Sequence, residues 1–169
     1  MEIKDSGTRR KCVETGAVRD LSEGKGRFDL MPMQQLGLFT MNTPLAYLIG
    51  DRPFIDLAID DFVKVAYKGD ESAVMLDLAK HYENGAIKYG ENNWQKGLPT
   101  SCYFDSACRH YWKWRAGKID ENHAVAFIWN LVCMKWTIEN HPELDDYYRG
   151  EEVHWSVEKE SESETETDF

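Results

Sequence analysis

The stretch from Glu83 to Asn130 holds the groups best suited to chemistry: Glu83, Lys88, Asn92, Asn93, Asp105, Arg109, His110, Asp120, Glu121, His123 and Asn130, set among aromatic residues. Carboxylates with one or two imidazoles suit a hard or borderline divalent ion. Arginine suits phosphate oxygens through its planar fork, and lysine binds them as a point charge. An ordinary core does not need so many of these groups at helical spacing. The density points to a charged, phosphorylated ligand.

His123 and Asn130 are two helical turns apart and share a face, with Phe127 between them and Asp120 one turn before His123. This polar line has two readings. It is either a cap, a hydrogen-bonded core histidine and a buried amide, or one wall of a site. Asp105 and Arg109 are four apart and form either a simple helical ion pair or part of that site. His110 falls with Ala107 and Trp114 on an inner face. Glu83 follows the apolar position Tyr82 and borders a cleft, with Lys88 just over one turn on.

Upstream, Lys25 and Arg27 lie among Gly16, Gly24 and Gly26, where backbone amides can approach an anion. Trp94, Tyr89 and Trp112 serve either as core or as platforms for a base. Asn92 and Asn93 either read a base edge or build the turn after Gly90.

Helices must position these groups. Apolar periodicity predicts helices over 54–67 and 73–89, a third ending near Ala116 and a fourth ending near Asn140. On the first, Leu57, Ala58, Phe62, Val65 and Ala66 form the apolar side. On the second, Met75, Leu78, Ala79, Tyr82, Ala86 and Tyr89 recur at three and four. Asp70, Glu71 or Ser72 starts the second helix, Thr100 or Ser101 caps the third, and Asp120 caps the fourth. No strand of convincing length and no repeat is evident. The expected fold is mainly α, a helical bundle with a looped N-terminal arm and a disordered acidic C-terminal tail. Residues 1–12 read as mobile, 13–150 as one domain and 151–169 as the acidic tail.

The 169 residues suffice for one domain with a real core. The formal net charge is −10, and half of it lies in residues 158–169, where six acids face only Lys159. With no basic surface, duplex nucleic acid is not an expected partner. No apolar run reaches the roughly 18 residues a membrane span needs, and the charged start lacks the apolar core of a signal peptide. Cys12, Cys102, Cys108 and Cys133 show no C-x-x-C spacing, which suits a reducing cytoplasm. The apolar stretch from Met33 to Ile49 suits a subunit contact in a homo-oligomer or a helix within its own subunit.

Three segments, TGAVRD with GKGRFDLMP, ENGAIKYGENNW, and DSACRHYWKWRAGKIDENHAVAFIWN, resemble a phage and prophage family, the dATP/dGTP diphosphohydrolase N-terminal domain proteins, often called MazG-like nucleotide pyrophosphohydrolases. The resemblance covers residues 15–32 and 82–130 and is weak over 33–80. It implies hydrolysis of a purine deoxynucleoside triphosphate to monophosphate and pyrophosphate. One departure matters. MazG-type enzymes hold magnesium through E-x-x-E followed by E-x-x-D, but Ala86 stands three residues after Glu83. Glu143 and Asp146 have the second spacing without the first pair. The His-Asp dipeptide of HD phosphohydrolases is also absent from the sequence.

Clustering and resemblance together give the leading reading, a metal-dependent nucleotide pyrophosphohydrolase. Mg²⁺ or Mn²⁺ is held by Glu83, Asp120 and His123, with Glu121 as an alternative to Asp120. His110 or Glu121 orients or deprotonates water. Lys25, Arg27, Lys88, Asn93, Trp94, Arg109 and Asn130 hold the substrate. The alternative is a non-catalytic binder that sequesters a nucleotide or nucleotide-derived signal in phage–host conflict. A third reading is a partner-binding protein that works through the acidic tail.

Overall fold

The computed structural model describes residues 8–21, 24–149 and 154–159. It opens with two short strands, β1 (Thr8–Cys12) and β2 (Val18–Asp20), joined by a turn in which Gly16 takes φ +70°. After one 3-10 turn comes a single helical turn, α1 (Gly37–Thr40). Then follow α2 (Ile55–Ala66), α3 (Glu71–Tyr89), α4 (Thr100–Arg115) and α5 (His123–Asn140). A last strand, β3 (Trp155–Lys159), returns to β1, giving an antiparallel sheet of order β2-β1-β3.

The fold is mainly α, as the periodicity predicts. The sheet corrects two expectations at its edges. Residues 8–12, expected to be mobile, form its central strand, and residues 155–159, expected in the disordered tail, form an edge. The segment TRRKC has no apolar alternation, so only its pairing with nearby β2 and with β3, far away in sequence, reveals it as a strand. The remainder of the expected tail, 160–169, and the first seven residues lie outside the described part.

The helix ends follow from side-chain competition for backbone donors. Asp70 caps α3 by accepting from the Ala73 amide at 3.0 Å, and Gly90 ends it at φ +89°. Neither Thr100 nor Ser101 caps α4; Pro99 precedes it. The Thr100 hydroxyl instead donates to Asp145 at 2.8 Å and the Ser101 hydroxyl to Asp146 at 2.6 Å, which ties α4 to the chain beyond α5. Asn122, not Asp120, caps α5 and accepts from the Val125 amide at 3.2 Å. Asp120 is occupied by His123.

The core sits between α4 and α5, which bury Tyr103, Phe104, Ala107, Phe127, Ile128, Leu131 and Met134. From α2, Phe62 packs its ring 4.4 Å from that of Phe127. The buried face of α2 is Ile55, Ala58 and Phe62; Leu57 and Val65, expected inward, are exposed. On α3 only Val74 is buried, and Met75 and Ala79, also expected inward, face outward. The inner side of α3 borders an open cavity rather than packed core. Leu45 and Leu48 of the Met33–Ile49 stretch enter this chain's own core, while Phe39 and Met41 are exposed.

Candidate functional site

The cavity has a volume of about 620 Å³, within the usual range for a small-molecule site of roughly 300–1,000 Å³. Its walls come from α3, α4, α5 and the β1–β2 arm. One group of lining residues is aromatic. Tyr82 meets Trp94 edge-on at 5.4 Å between centroids and Trp129 at 6.3 Å, and His81 lies 5.4 Å from Trp129. Burial first, and the charge of Arg19 second, push the His81 imidazole down to about 4, so it is neutral at pH 7.

A second group joins α4 to the start of α5. His110 comes from α4, His123 opens α5, and Glu121 sits in the intervening turn. His110 Nδ1 lies 3.1 Å from His123 Nδ1. Glu121 Oε1 lies 3.4 Å from the first nitrogen and 3.3 Å from the second. On its far side His123 Nε2 lies 2.9 Å from Asp120 Oδ1. In the neutral ring the Nε2–H donates to the carboxylate, and the Nδ1 lone pair then faces His110 and Glu121. The hydrogen bond to His123 holds the Asp120 carboxyl down at about 2. Burial, reinforced by His123, pushes His110 well below the ordinary imidazole range, which keeps it neutral and able to act as a ligand.

The donor set fits a divalent ion. Atoms about 2.0–2.2 Å from one ion stand roughly 3.0–3.5 Å apart, and the three separations here are 3.1, 3.3 and 3.4 Å. Two imidazoles and a carboxylate oxygen, with a second carboxylate behind one imidazole, are the donors and backing that borderline ions take. His110 and Glu121 line the cavity, whereas His123 is sealed behind them.

The other expected residues fall as follows. Glu83 is exposed on the cavity wall and is not among the clustered ligand atoms, and Asp120 is the partner of His123 rather than a member of the cluster. Lys25 lines the cavity. Lys88 pairs with Asp20 at 2.8 Å. Arg27 pairs with Asp29 and does not line the cavity. Arg109 lines it, but its guanidinium pairs with Asp105 and donates to the carbonyls of Lys25 and Gly26. Asp105 also accepts from the Phe28 amide at 2.7 Å. Arg109 and Asp105 thus form a strut under the arm.

Asn93 exchanges two hydrogen bonds with the Val18 backbone, each 3.0 Å, and so pins β2. Trp94 is half-buried at the cavity edge. Asn130 donates to the Ala126 carbonyl and accepts from Arg19 at 2.8 Å. Three cavity cations, Arg10, Arg19 and Lys113, fall outside the sequence-derived set. Arg19 stands in TGAVRD, so its segment is legible; Arg10 lies in a segment without helical or strand periodicity.

Fold and site together define a mainly α protein with a cavity lined by both cations and acids and a candidate metal centre. More particularly, residues 64–147 match the family model described as dATP/dGTP diphosphohydrolase, N-terminal. The match takes in α3, α4 and α5 and leaves out the strands. No curated protein and no solved structure matches the chain. Among the described residues no helix is long and apolar enough to cross a membrane. All four cysteines are buried and free.

Proposed function

We propose that this protein hydrolyses purine deoxynucleoside triphosphates to the monophosphate and pyrophosphate. The observation that carries the reading is the cluster of His110 and Glu121 on the wall of a cavity of nucleotide size, with His123 directly behind them. The match of residues 64–147 to a family named for nucleotide hydrolysis supports the substrate class. His110 Nδ1, His123 Nδ1 and Glu121 Oε1 would hold a divalent ion. Two nitrogen donors suit Mn²⁺ better than Mg²⁺, which prefers oxygen. Such an ion acidifies water and offsets charge on phosphate oxygens.

The chain's own groups do the rest. Asp120 keeps the proton of His123 on Nε2 and so keeps Nδ1 available. Glu121 turns Oε1 to the imidazoles, which leaves Oε2 to take a proton from water. Lys25 and Lys113 on the cavity wall supply positive charge for the phosphate chain. Tyr82, Trp94 and Trp129 offer aromatic surface for the base, and neutral His81 beside them can donate and accept at its edge.

A non-catalytic binder is the second reading, favoured by the missing E-x-x-E pair. The imidazole–carboxylate cluster favours hydrolysis over it, because mere capture of an anion does not need such a cluster. A panel of nucleoside triphosphates, incubated with Mn²⁺, Mg²⁺ or EDTA and read by product chromatography, separates the two. Monophosphate and pyrophosphate appearing only with metal supports hydrolysis. Tight binding in EDTA with the nucleotide recovered intact supports capture.

A further inference from the structure

The antiparallel register of β1 and β2 sets Arg10 directly opposite Arg19. Residues directly opposite on neighbouring strands project from the same face, and like charges placed so repel. Both arginines line the cavity. Neither is relieved by a carboxylate among the described residues. Arg19 Nη2 donates to the neutral amide of Asn130 at 2.8 Å, and Arg10 Nη2 meets the Cys102 sulfur at 3.2 Å. Arg10 Nε and Arg19 Nη1 are buried with no hydrogen-bond partner.

Six acids line the cavity, Asp20, Glu83, Glu91, Asp105, Asp120 and Glu121, and among the described residues none makes an ion pair with either arginine. Asp20 holds Lys88, Asp105 holds Arg109, and Asp120 holds His123. Rings on either side fix the pair in place: Arg10 stacks 4.1 Å from the centroid of Trp155, and Arg19 lies 5.7 Å from Tyr103 and 6.0 Å from Trp129. Two rigid, desolvated, uncompensated guanidinium groups facing one cavity are costly unless an anion completes them.

We propose that Arg10 and Arg19 are a clamp for the polyphosphate chain of the substrate, built by the strands and not by the helices of the family match. In this respect the inference rests on the nucleotide reading and deepens it. It also reassigns the arginines: Arg109 braces the arm, and the strand pair binds the ligand. Two forks side by side match several oxygens of adjacent phosphoryl groups better than one carboxylate. Such a clamp distinguishes a triphosphate from a monophosphate by charge and length. β3 supports it, because Trp155 both pairs opposite Cys12 and stacks on Arg10.

The probe is inorganic tripolyphosphate in EDTA, measured by calorimetry on the full chain, because it needs neither metal nor base. Wild type is expected to bind it. Arg10→Gln and Arg19→Gln should each weaken binding roughly 10- to 100-fold, the scale of a lost charged hydrogen bond. Arg→Lys at either position should recover only part, because charge returns without the fork. Lys135→Gln, which removes a cation paired with Asp56 outside the cavity, should change nothing. Tripolyphosphate should raise the melting temperature of wild type but not of the two glutamine variants, which reads the clamp independently of any folding loss.

Absence of binding to wild type overturns the clamp, as does unchanged affinity in folded Arg10→Gln and Arg19→Gln. The hydrolase reading fails separately. If triphosphates survive with Mn²⁺ while tripolyphosphate binding still depends on the two arginines, the clamp stands and the catalytic assignment falls. Turnover with an unchanged KM in both variants does the reverse: the hydrolase stands and the clamp falls.

Discussion

His110 Nδ1 and His123 Nδ1 face each other at 3.1 Å across the junction of α4 and α5. So close an approach fits either an N–H of one neutral ring donating to the lone pair of the other or a metal ion held between two lone pairs. Asp120 accepts the proton on the far nitrogen of His123, so in the neutral ring the near nitrogen is the one with the lone pair. Glu121 Oε1, 3.3–3.4 Å from both nitrogens, adds the negative charge that a divalent ion needs and a single shared proton does not.

Removing the partner behind the imidazole should weaken the centre without abolishing it. Asp120→Asn leaves His123 free to change tautomer, and Mn²⁺ affinity should fall roughly 10- to 100-fold. His123→Ala removes a donor and should fall further. Calorimetric titration with Mn²⁺ orders the three proteins; equal affinities would show that Asp120 has no orienting role.

The ion should follow the donors. Mn²⁺ should bind more tightly than Mg²⁺ and support more turnover at equal concentration, since imidazole nitrogen is a poor exchange for water at magnesium. Competition between the two ions, read by dialysis and metal analysis, checks this. A clear preference for Mg²⁺ would move the ion to an oxygen-only site elsewhere in the cavity.

Acid should destabilise the fold through buried neutral histidine. His81 sits at about 4 because of burial and then Arg19, whereas the unfolded chain titrates near 6.5. The unfolded state therefore takes up the proton first as pH falls. The stabilisation is present above about 6.5 and is lost progressively toward about 4, and His110 acts in the same direction. His81→Gln should flatten the fall of melting temperature between about pH 6.5 and 4.5. A wild-type curve flat across that window would contradict the assignment.

The brace under the arm makes a stability prediction. Asp105 is nearly sealed and accepts from both Arg109 and the Phe28 amide. Asp105→Ala strands both donors and should cost about 2 kcal/mol or more in urea unfolding. It should also speed proteolytic cleavage near Gly24–Arg27. Arg109→Gln should cost less, because the Phe28 contact survives.

The helices are legible in the sequence because each signal is local. Asp70 and Gly90 bracket α3 as expected, and the spacing of His123, Phe127 and Asn130 on α5 follows from 3.6 residues per turn. Capping is less legible wherever a side chain has a stronger partner elsewhere. Thr100 and Ser101 serve Asp145 and Asp146, and Asp120 serves His123, so Pro99 and Asn122 stand at the helix starts instead.

The site is legible in its residues more than in its roles. His110, Glu121 and His123 all stand out in the sequence, but which carboxylate meets the imidazoles depends on the path of the turn between α4 and α5, which has no period. Glu83 shows the reverse case: its helix is correctly expected, yet its side chain lies exposed on the wall, apart from the cluster. The strands are the least legible. β1 gains its identity only from its pairing partners, and β3 is far away in sequence, so Arg10 carries no local signal at all.

The central claim is that two imidazoles and one carboxylate hold the divalent ion. Pulsed electron paramagnetic resonance on the Mn²⁺-loaded protein tests it most directly. Nitrogen-14 coupling from two histidines is the predicted result, reduced to one in His110→Ala or His123→Ala. Bound Mn²⁺ without nitrogen coupling, or with coupling untouched by both substitutions, would contradict it.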